Sequence, residues 1–131
     1  NSAGAIGYVD ADYNPNSILE ESRKAGIPIL GIRAVQAGAL TIKMDREPHE
    51  SGFDLKDFED YDRAEPFRVL ADKWELSPSL LAHRYALSAD KVSSVILGVK
   101  NRIELSECIQ AEVKGKLTIE QVTKIEEVLA S

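Results

Sequence analysis

The sequence predicts an α/β fold in which parallel strands alternate with helices. Residues 27–32 and 92–97 are short apolar runs typical of strands buried inside a parallel sheet. Residues 4–13 alternate apolar with polar or small side chains, which indicates a strand with one buried face. Helical segments separate these strands, so we expect parallel pairing through right-handed crossovers.

The composition indicates a single globular unit that acts on a small molecule. The 131 residues are 44% hydrophobic, which is enough for one modest core. Residues 1–131 are therefore expected to be one domain or part of one. The net charge of −6 argues against binding to nucleic acid or to an anionic membrane, since both need basic surface.

The single cysteine excludes an internal disulfide framework. No apolar run approaches the length of a membrane span, and the first residues lack the basic-then-apolar pattern of a signal sequence. These observations predict a cytoplasmic location.

The first half of the chain is predicted to contain two strands, a helix and a loop. Asn14 to Ser17 have the residue types of an N-cap and first helical position, which predicts a helix over about 16–25. Gly26 suits the left-handed residue that ends this helix, and the strand at 27–32 follows. Residues 42–65 are dense in charge and turn formers, which predicts a long surface loop that is a functional lid or poorly ordered.

Four more helices are predicted in the second half, one of them beginning at Asn101. Pro66 fits the first turn of a helix with an inward stripe at i, i+3, i+4 and i+7 spacing. The stripe consists of Phe67, Leu70, Ala71 and Trp74. Ser77 and Pro78 end that helix and start another over about 78–88. Thr118 and Gln121 match a capping box for the last helix. Its apolar side consists of Ile119, Val122, Ile125 and Leu129.

Residues 93–110 are the most informative segment. The strand at 92–97 runs into Gly98, a short polar turn, and a helix that begins at Asn101 with Glu104 as the partner of its cap. Such a turn can hold phosphate, because backbone N–H groups and the positive end of the helix dipole face the anion. Strand-glycine-helix turns also occur in α/β proteins that bind nothing there.

Several consecutive segments together resemble the C-terminal part of an aldo-keto reductase. Residues 8–14, YVDADYN, look like the sixth barrel strand of that family. Residues 27–41, IPILGIRAVQAGALT, look like the seventh strand and its exit, where Gly38, Leu40 and Thr41 match the family pattern. The resemblance implies an α/β fold that is a partial TIM (β/α)8 barrel, namely the C-terminal portion with roughly three of the eight strands.

The resemblance also implies a site for NADP or NAD. Gly98 to Asn101 match the turn beside the cofactor phosphates, and Glu107 falls where a glutamate approaches the adenine. Cys108 stands where an asparagine is common. The implied cofactor-binding residues are Ile32, Arg33, Val35, Gly98, Val99, Lys100, Asn101, Glu104, Glu107 and Cys108.

Three departures from the family pattern bear on this site. Ile32 replaces the aromatic residue that stacks on the nicotinamide, so it supplies only aliphatic packing. Arg33 occupies a position that points into the mouth of the active site, where it either pairs with a phosphate or a substrate acid or forms a salt bridge to a neighbouring carboxylate. A carboxylate at Glu104 would repel a 2′-phosphate. Either the cofactor is NADH, or Lys100 and Arg102 offset Glu104, or Glu104 caps its own helix, and we favour the cap.

The family's catalytic residues lie on the first half of its barrel, to which nothing here corresponds. We therefore expect part of an NAD(P)H-dependent oxidoreductase that acts on small carbonyl substrates, inactive alone. The expected partners are the missing N-terminal half of the barrel or a second copy. The alternative is a non-catalytic half-barrel that binds nucleotide or a protein partner.

The remaining candidates favour structural roles. His49 lies in the charged loop, and His83 lies within a helix, so we expect a solvated surface residue and a packing residue rather than metal ligands. Cys108 is about two turns into its helix, which favours an inert thiol. The acidic cluster at 54–62 lacks the spacing of a calcium loop. No metal site is predicted.

Overall fold

A computed structural model describes residues 15–90 and 92–130. The strand predicted at 4–13 and the cap at Asn14 lie outside the described residues. The described helices are α1 (Pro15–Lys24), α2 (Leu55–Arg63), α3 (Glu65–Lys73), α4 (Pro78–Leu87), α5 (Arg102–Lys114) and α6 (Ile119–Ala130). The strands are β1 (Leu30–Gly31) and β2 (Ser94–Val95), and a 3-10 helix covers Gln36–Gly38.

The two strands form a parallel pair, as the sequence predicts. Leu30 is opposite Ser94 and Gly31 is opposite Val95. The N–H of Ile96 donates to the carbonyl oxygen of Gly31 at 2.8 Å, which extends the ladder past β2. This register sets the ends of β1 and β2 side by side.

The prediction of long, buried strands is wrong for the described residues. Each strand has two residues where the sequence predicts six. Leu30 is 58% exposed, Ile32 is 59% exposed and Ile96 is 54% exposed. A parallel strand is buried only when other strands and helices cover both its edges and faces, and among residues 15–90 and 92–130 only two strands are present to do so.

The helix boundaries agree closely with the sequence. The helix α1 ends before Gly26, which has the predicted left-handed φ of 68°. The side chain of Ser77 accepts the N–H of Leu80 at 3.1 Å and so caps α4. Thr118 and Gln121 exchange the two bonds of a capping box, at 3.2 and 3.0 Å. Within 15–90 and 92–130, no helix is both long and apolar enough to cross a bilayer.

The prediction of a loop over 42–65 is wrong in its second half, where the chain forms α2. Asp57 and Asp60 of this helix are buried and bind groups near β1 and the 3-10 helix. The many acidic side chains among residues 54–62 favour a loop when the sequence is considered alone. Partners far along the chain neutralise this charge and allow the helix to pack.

The core lies among α3, α4 and α6. Phe67, Leu81 and Ile125 are its largest fully buried side chains. Val122 packs against the same cluster, as the spacing of the last helix predicts. Ile119 does not, because it lies in the first turn of α6 and is 85% exposed.

Candidate functional site

The candidate site lies where β1 and β2 end. Parallel strands place their carboxyl ends at one edge of a sheet, which is where α/β proteins bind ligands. Arg33 follows β1, and Gly98 follows β2 two residues before Lys100. The pairing of β1 with β2 therefore brings the two predicted halves of the cofactor site to the same edge.

The first turn of α5 is capped by its own side chains. The Asn101 carboxamide oxygen accepts the N–H groups of Ile103 and Glu104 at 2.9 and 3.0 Å. The Glu104 carboxylate accepts the N–H of Lys100 at 2.7 Å and the side-chain amide of Asn101 at 3.1 Å. The predicted capping role of Glu104 is therefore confirmed. The Glu104 carboxylate places a negative charge at the positive end of the α5 dipole.

Lys100 joins the turn after β2 to the segment that follows β1. Its ammonium group forms an ion pair with the carboxylate of Asp45. The hydrogen bond from Lys100 holds the pKa of the Asp45 carboxyl below its usual value. Both side chains are substantially exposed, so salt screens this contact.

The turn at Gly98 is open. A Cβ built on Gly98 would meet nothing within 4 Å, and the neighbouring Val99 is 42% exposed. The glycine is therefore not required by the packing of the described residues. The space beside its backbone can admit a ligand.

Arg33 forms the salt bridge that was one of its two predicted alternatives. Its guanidinium donates to Asp57 of α2 at 2.7 Å. The other oxygen of Asp57 accepts from Arg46 at 2.9 Å, and Arg46 also pairs with Asp54. The His49 N–H and Arg46 together hold the pKa of Asp54 below its usual value. In this network of ion pairs, the carboxylates of Asp54 and Asp57 neutralise the two guanidinium groups.

The backbone at the exit of β1 is strained. Arg33, Gln36 and Ala37 have positive φ angles of 58°, 49° and 52°. Non-glycine residues in this region carry a conformational penalty and persist when their surroundings fix them. Gln36 is buried and donates to Asp60 of α2 at 3.3 Å. The helix α2 thus fixes the exit loop through Asp57 and Asp60.

The sequence interpretation missed Asp57 and Asp60. Their separation of three residues places them on one face of a helix, which is the signal that was available. Their partners lie 24 positions away, so the pairing itself had no local signal.

Ile32 and Val35 differ in their surroundings. Ile32 is exposed and lines an apolar cleft of about 350 Å³ that also contains Val95. Val35 is partly buried and packs against the core. Ile32 therefore exposes an aliphatic side chain beside the strands, whereas Val35 packs its side chain against the core.

Glu107 and Cys108 lie on α5 and contact Ser77 and His83. The Glu107 carboxylate accepts a hydrogen bond from the Ser77 hydroxyl at 2.5 Å. Cys108 is buried with its sulfur 3.4 Å from Nε2 of His83. Burial raises the pKa of the Cys108 thiol, so the thiol stays protonated and inert. Its contact with a nucleotide stays a prediction, and its observed role is packing between α4 and α5.

The two histidines have the structural roles expected for them. His83 is buried in α4, and burial lowers its pKa. Its Nδ1 has no hydrogen-bond partner among the described residues. His49 is exposed, with Nδ1 2.9 Å from the Ser51 hydroxyl and its ring against Phe53.

Comparison with known proteins identifies the family. The sequence profile described as Aldo/keto reductase family matches residues 6–130. Proteins of this family are TIM-barrel oxidoreductases that use NAD(P)H and carbonyl substrates. A search of curated proteins gives no match. Because the profile covers nearly the whole sequence, the chain belongs to the aldo/keto reductase family.

Proposed function

We propose that this chain contributes the nucleotide-binding part of an NAD(P)H-dependent aldo/keto reductase. The observation that carries the proposal is the open Gly98 turn, which leads into α5 beside the exit of β1. The whole protein reduces an aldehyde or ketone, or oxidises the corresponding alcohol. The cofactor supplies the hydride, and the protein supplies orientation and charge.

The residues at the turn fit a dinucleotide phosphate. No described atom lies within 4 Å of a Cβ built on Gly98, which leaves room for a phosphate near the backbone. Lys100 and Arg102 are exposed cations that follow Gly98 closely in sequence. Lys100 would exchange its exposed partner Asp45 for the phosphate, which is a similar contact in water. Ile32 would pack against the nicotinamide end through aliphatic contact alone.

The proposal includes a preference for NADH. Glu104 keeps its carboxylate at the start of α5, where it holds the N–H of Lys100. A 2′-phosphate near this carboxylate would meet a like charge and find fewer free backbone donors. The site therefore favours a cofactor without that phosphate.

The fragment status, the inactivity of the chain alone and the cytoplasmic location stay predictions. The second candidate is a half-barrel that binds a partner without catalysis. Leu30, Ile32 and Ile96 expose apolar surface at the strands, and such surface is suited to further strands of either a catalytic or a non-catalytic partner.

The proposed nucleotide site is tested by graded substitution of Gly98. Gly98→Ala should leave the melting temperature unchanged, because an added Cβ meets no described atom within 4 Å. Gly98→Ala and Gly98→Val should both weaken NADH binding, the valine by roughly tenfold or more, because the backbone can no longer approach the phosphate. Titration calorimetry on the chain, with the first half of a related barrel supplied where needed, measures this. Equal affinity in all three proteins would overturn the proposal.

A further inference from the structure

Arg33 and Arg46 share the carboxylate of Asp57 but differ in how fully their guanidinium groups are bonded. Arg46 donates to both Asp54 and Asp57, and its guanidinium carbon lies 4.9 Å from the ring centre of Phe58. Arg33 donates to Asp57 through one terminal nitrogen at 2.7 Å, and no second hydrogen bond of this guanidinium is found in the described part of the chain. A guanidinium carries five N–H donors in a planar fork. Arg33 therefore keeps donors for a further acceptor, whereas Arg46 is held on both sides.

The remaining donors of Arg33 are held in one place. The backbone of Arg33 has a φ of 58°, and its carbonyl oxygen accepts the N–H of Gln36 at 2.8 Å. The side chain of Asp57 is only 12% exposed, while that of Arg33 is 38% exposed. Backbone and side chain are thus both fixed while part of the guanidinium stays open to water. Such pre-organisation lowers the entropy lost when an anion binds.

The surroundings of Arg33 suit an anion close to the reacting end of the cofactor. Arg33 directly follows Ile32, which we propose packs against the nicotinamide, at the edge of the sheet where ligands bind. The carboxylates of Asp54 and Asp57 are already paired with guanidinium groups. Glu126 lines the same cleft as Arg33 but is exposed on α6, where water screens its charge.

A carboxylate is the anion that best matches the open side of Arg33. Two N–H groups of a guanidinium bind both oxygens of a carboxylate in one plane. The charges of Arg33, Arg46, Asp54 and Asp57 cancel, so long-range attraction of an anion is weak. Recognition therefore depends on these directed bonds.

We infer that Arg33 selects carbonyl substrates that carry a carboxylate, an inference that rests on the proposed reductase function. Asp57 anchors Arg33, and the substrate carboxylate accepts from N–H groups that Asp57 does not use. The salt bridge and the contact with a substrate acid, which the sequence presents as alternatives, thus occur together. The carbonyl carbon accepts a hydride from NADH, which leaves as NAD+, and the carbonyl oxygen accepts a proton. The carboxylate is unchanged, so an oxo acid becomes a hydroxy acid.

Two other roles for Arg33 make different predictions. If Arg33 only stabilised the exit of β1, its substitution would lower stability without changing the preference between an acid and its ester. If Arg33 bound a cofactor phosphate, its substitution would weaken NADH binding and would slow the reduction of both compounds by the same factor.

The test compares kcat/KM for 4-oxobutanoate and for its uncharged methyl ester, using the chain assembled with the first half of a related barrel. The dissociation constant of NADH is measured in the same proteins. The wild type should prefer the acid by roughly tenfold or more, the gain expected from hydrogen bonds between charged groups.

Three variants locate the source of this preference. Arg33→Gln keeps an N–H for Asp57 and should lower the preference to about twofold or less. Arg33→Lys keeps the charge without the planar fork and should retain an intermediate preference. Lys56→Gln removes a cation of α2 whose side chain is also 38% exposed, and it should keep the full preference.

The outcomes distinguish this inference from the proposed function. If the wild-type assembly reduces neither compound, the proposed function fails and the inference fails with it. If the wild type reduces both compounds equally well, or if folded Arg33→Gln keeps the full preference, the inference alone is overturned. It is also overturned if Arg33→Gln weakens NADH binding and slows both reductions by the same factor. Loss of the preference in Arg33→Gln but not in Lys56→Gln supports it.

Discussion

Arg33, at the end of β1, donates to Asp57 of α2 at 2.7 Å across 24 positions of sequence. This contact fixes a residue of strained backbone at the candidate site. It also explains why an acidic segment is helical and packed. The exit of β1 is therefore supported from α2 and not only from the sheet.

Asp57→Asn should destabilise the protein by about 1–2 kcal/mol, because one carboxylate serves both Arg33 and Arg46. The estimate is modest, since both guanidinium groups are about one-third exposed and screened by water. Urea unfolding of the chain assembled with the first half of a related barrel provides the measurement. Asp62→Asn on the exposed side of α2 is the control and should change stability by less than about 0.5 kcal/mol. If Asp57→Asn and Asp62→Asn lowered the free energy of unfolding equally, the conclusion that Asp57 stabilises the exit of β1 would be wrong.

Glu104→Arg should shift cofactor preference towards NADPH by roughly tenfold, or about 1.4 kcal/mol, because a cation replaces a carboxylate near the 2′-phosphate. The measurement is the ratio of dissociation constants for NADPH and NADH. Gln121→Arg changes the equivalent residue in the capping box of α6 and should leave the ratio unchanged. An unchanged ratio in Glu104→Arg would show that Glu104 is a helix cap and nothing more.

His83 should make stability fall in mild acid. Burial lowers its pKa in the folded protein, although Glu107 and Glu104 partly oppose the shift. The unfolded chain therefore takes up a proton near the ordinary value of about 6.5 while the folded protein does not. Stability is complete above that pH and declines as the pH falls towards the folded pKa.

For one titrating group, the free energy of unfolding falls by at most about 1.4 kcal/mol per pH unit. Urea unfolding from pH 7.5 to 5.0 should show this loss of stability in the wild type. The same loss should appear in His49→Gln, which alters the exposed histidine. His83→Gln should reduce the slope. A slope that persists unchanged in His83→Gln would assign the acid sensitivity to other groups.

The isolated chain should not be a stable monomer. The two described strands leave open edges, with Leu30 and Ile96 exposed, and such edges pair with other chains. Light scattering should report self-association, relieved when the first half of a related barrel is added. A monodisperse monomer that melts cooperatively would contradict this expectation.

Local signals predicted the helices well, and contacts distant in sequence account for the errors. Gly26, Ser77, Asn101 and Thr118 act on groups within a few residues, so their roles follow from the sequence alone. The packing of α2 depends on Arg33, which lies far outside any local window. The strands are short because their length is set by neighbours and not by their own apolar residues.

The features of the candidate site also divide into those that have a local sequence signal and those that depend on contacts distant in sequence. The Asn101 cap and the Gly98 turn were recognised from their spacing. The pairing of Glu107 with Ser77 was not, because it joins two helices that are separated by 30 positions. The strain at Gln36 and Ala37 had no sequence signal, since neither residue is a type that favours positive φ.

The most direct test of the account is reconstituted carbonyl reduction. NADH oxidation is followed with a panel of small aldehydes, using the 131-residue chain alone, the first half of a related reductase barrel alone, and the two together. We expect turnover only in the mixture, and we expect Gly98→Val in this chain to reduce it. Enzyme-like turnover by the 131 residues alone, or a mixture that assembles and binds NADH without any turnover, would contradict it.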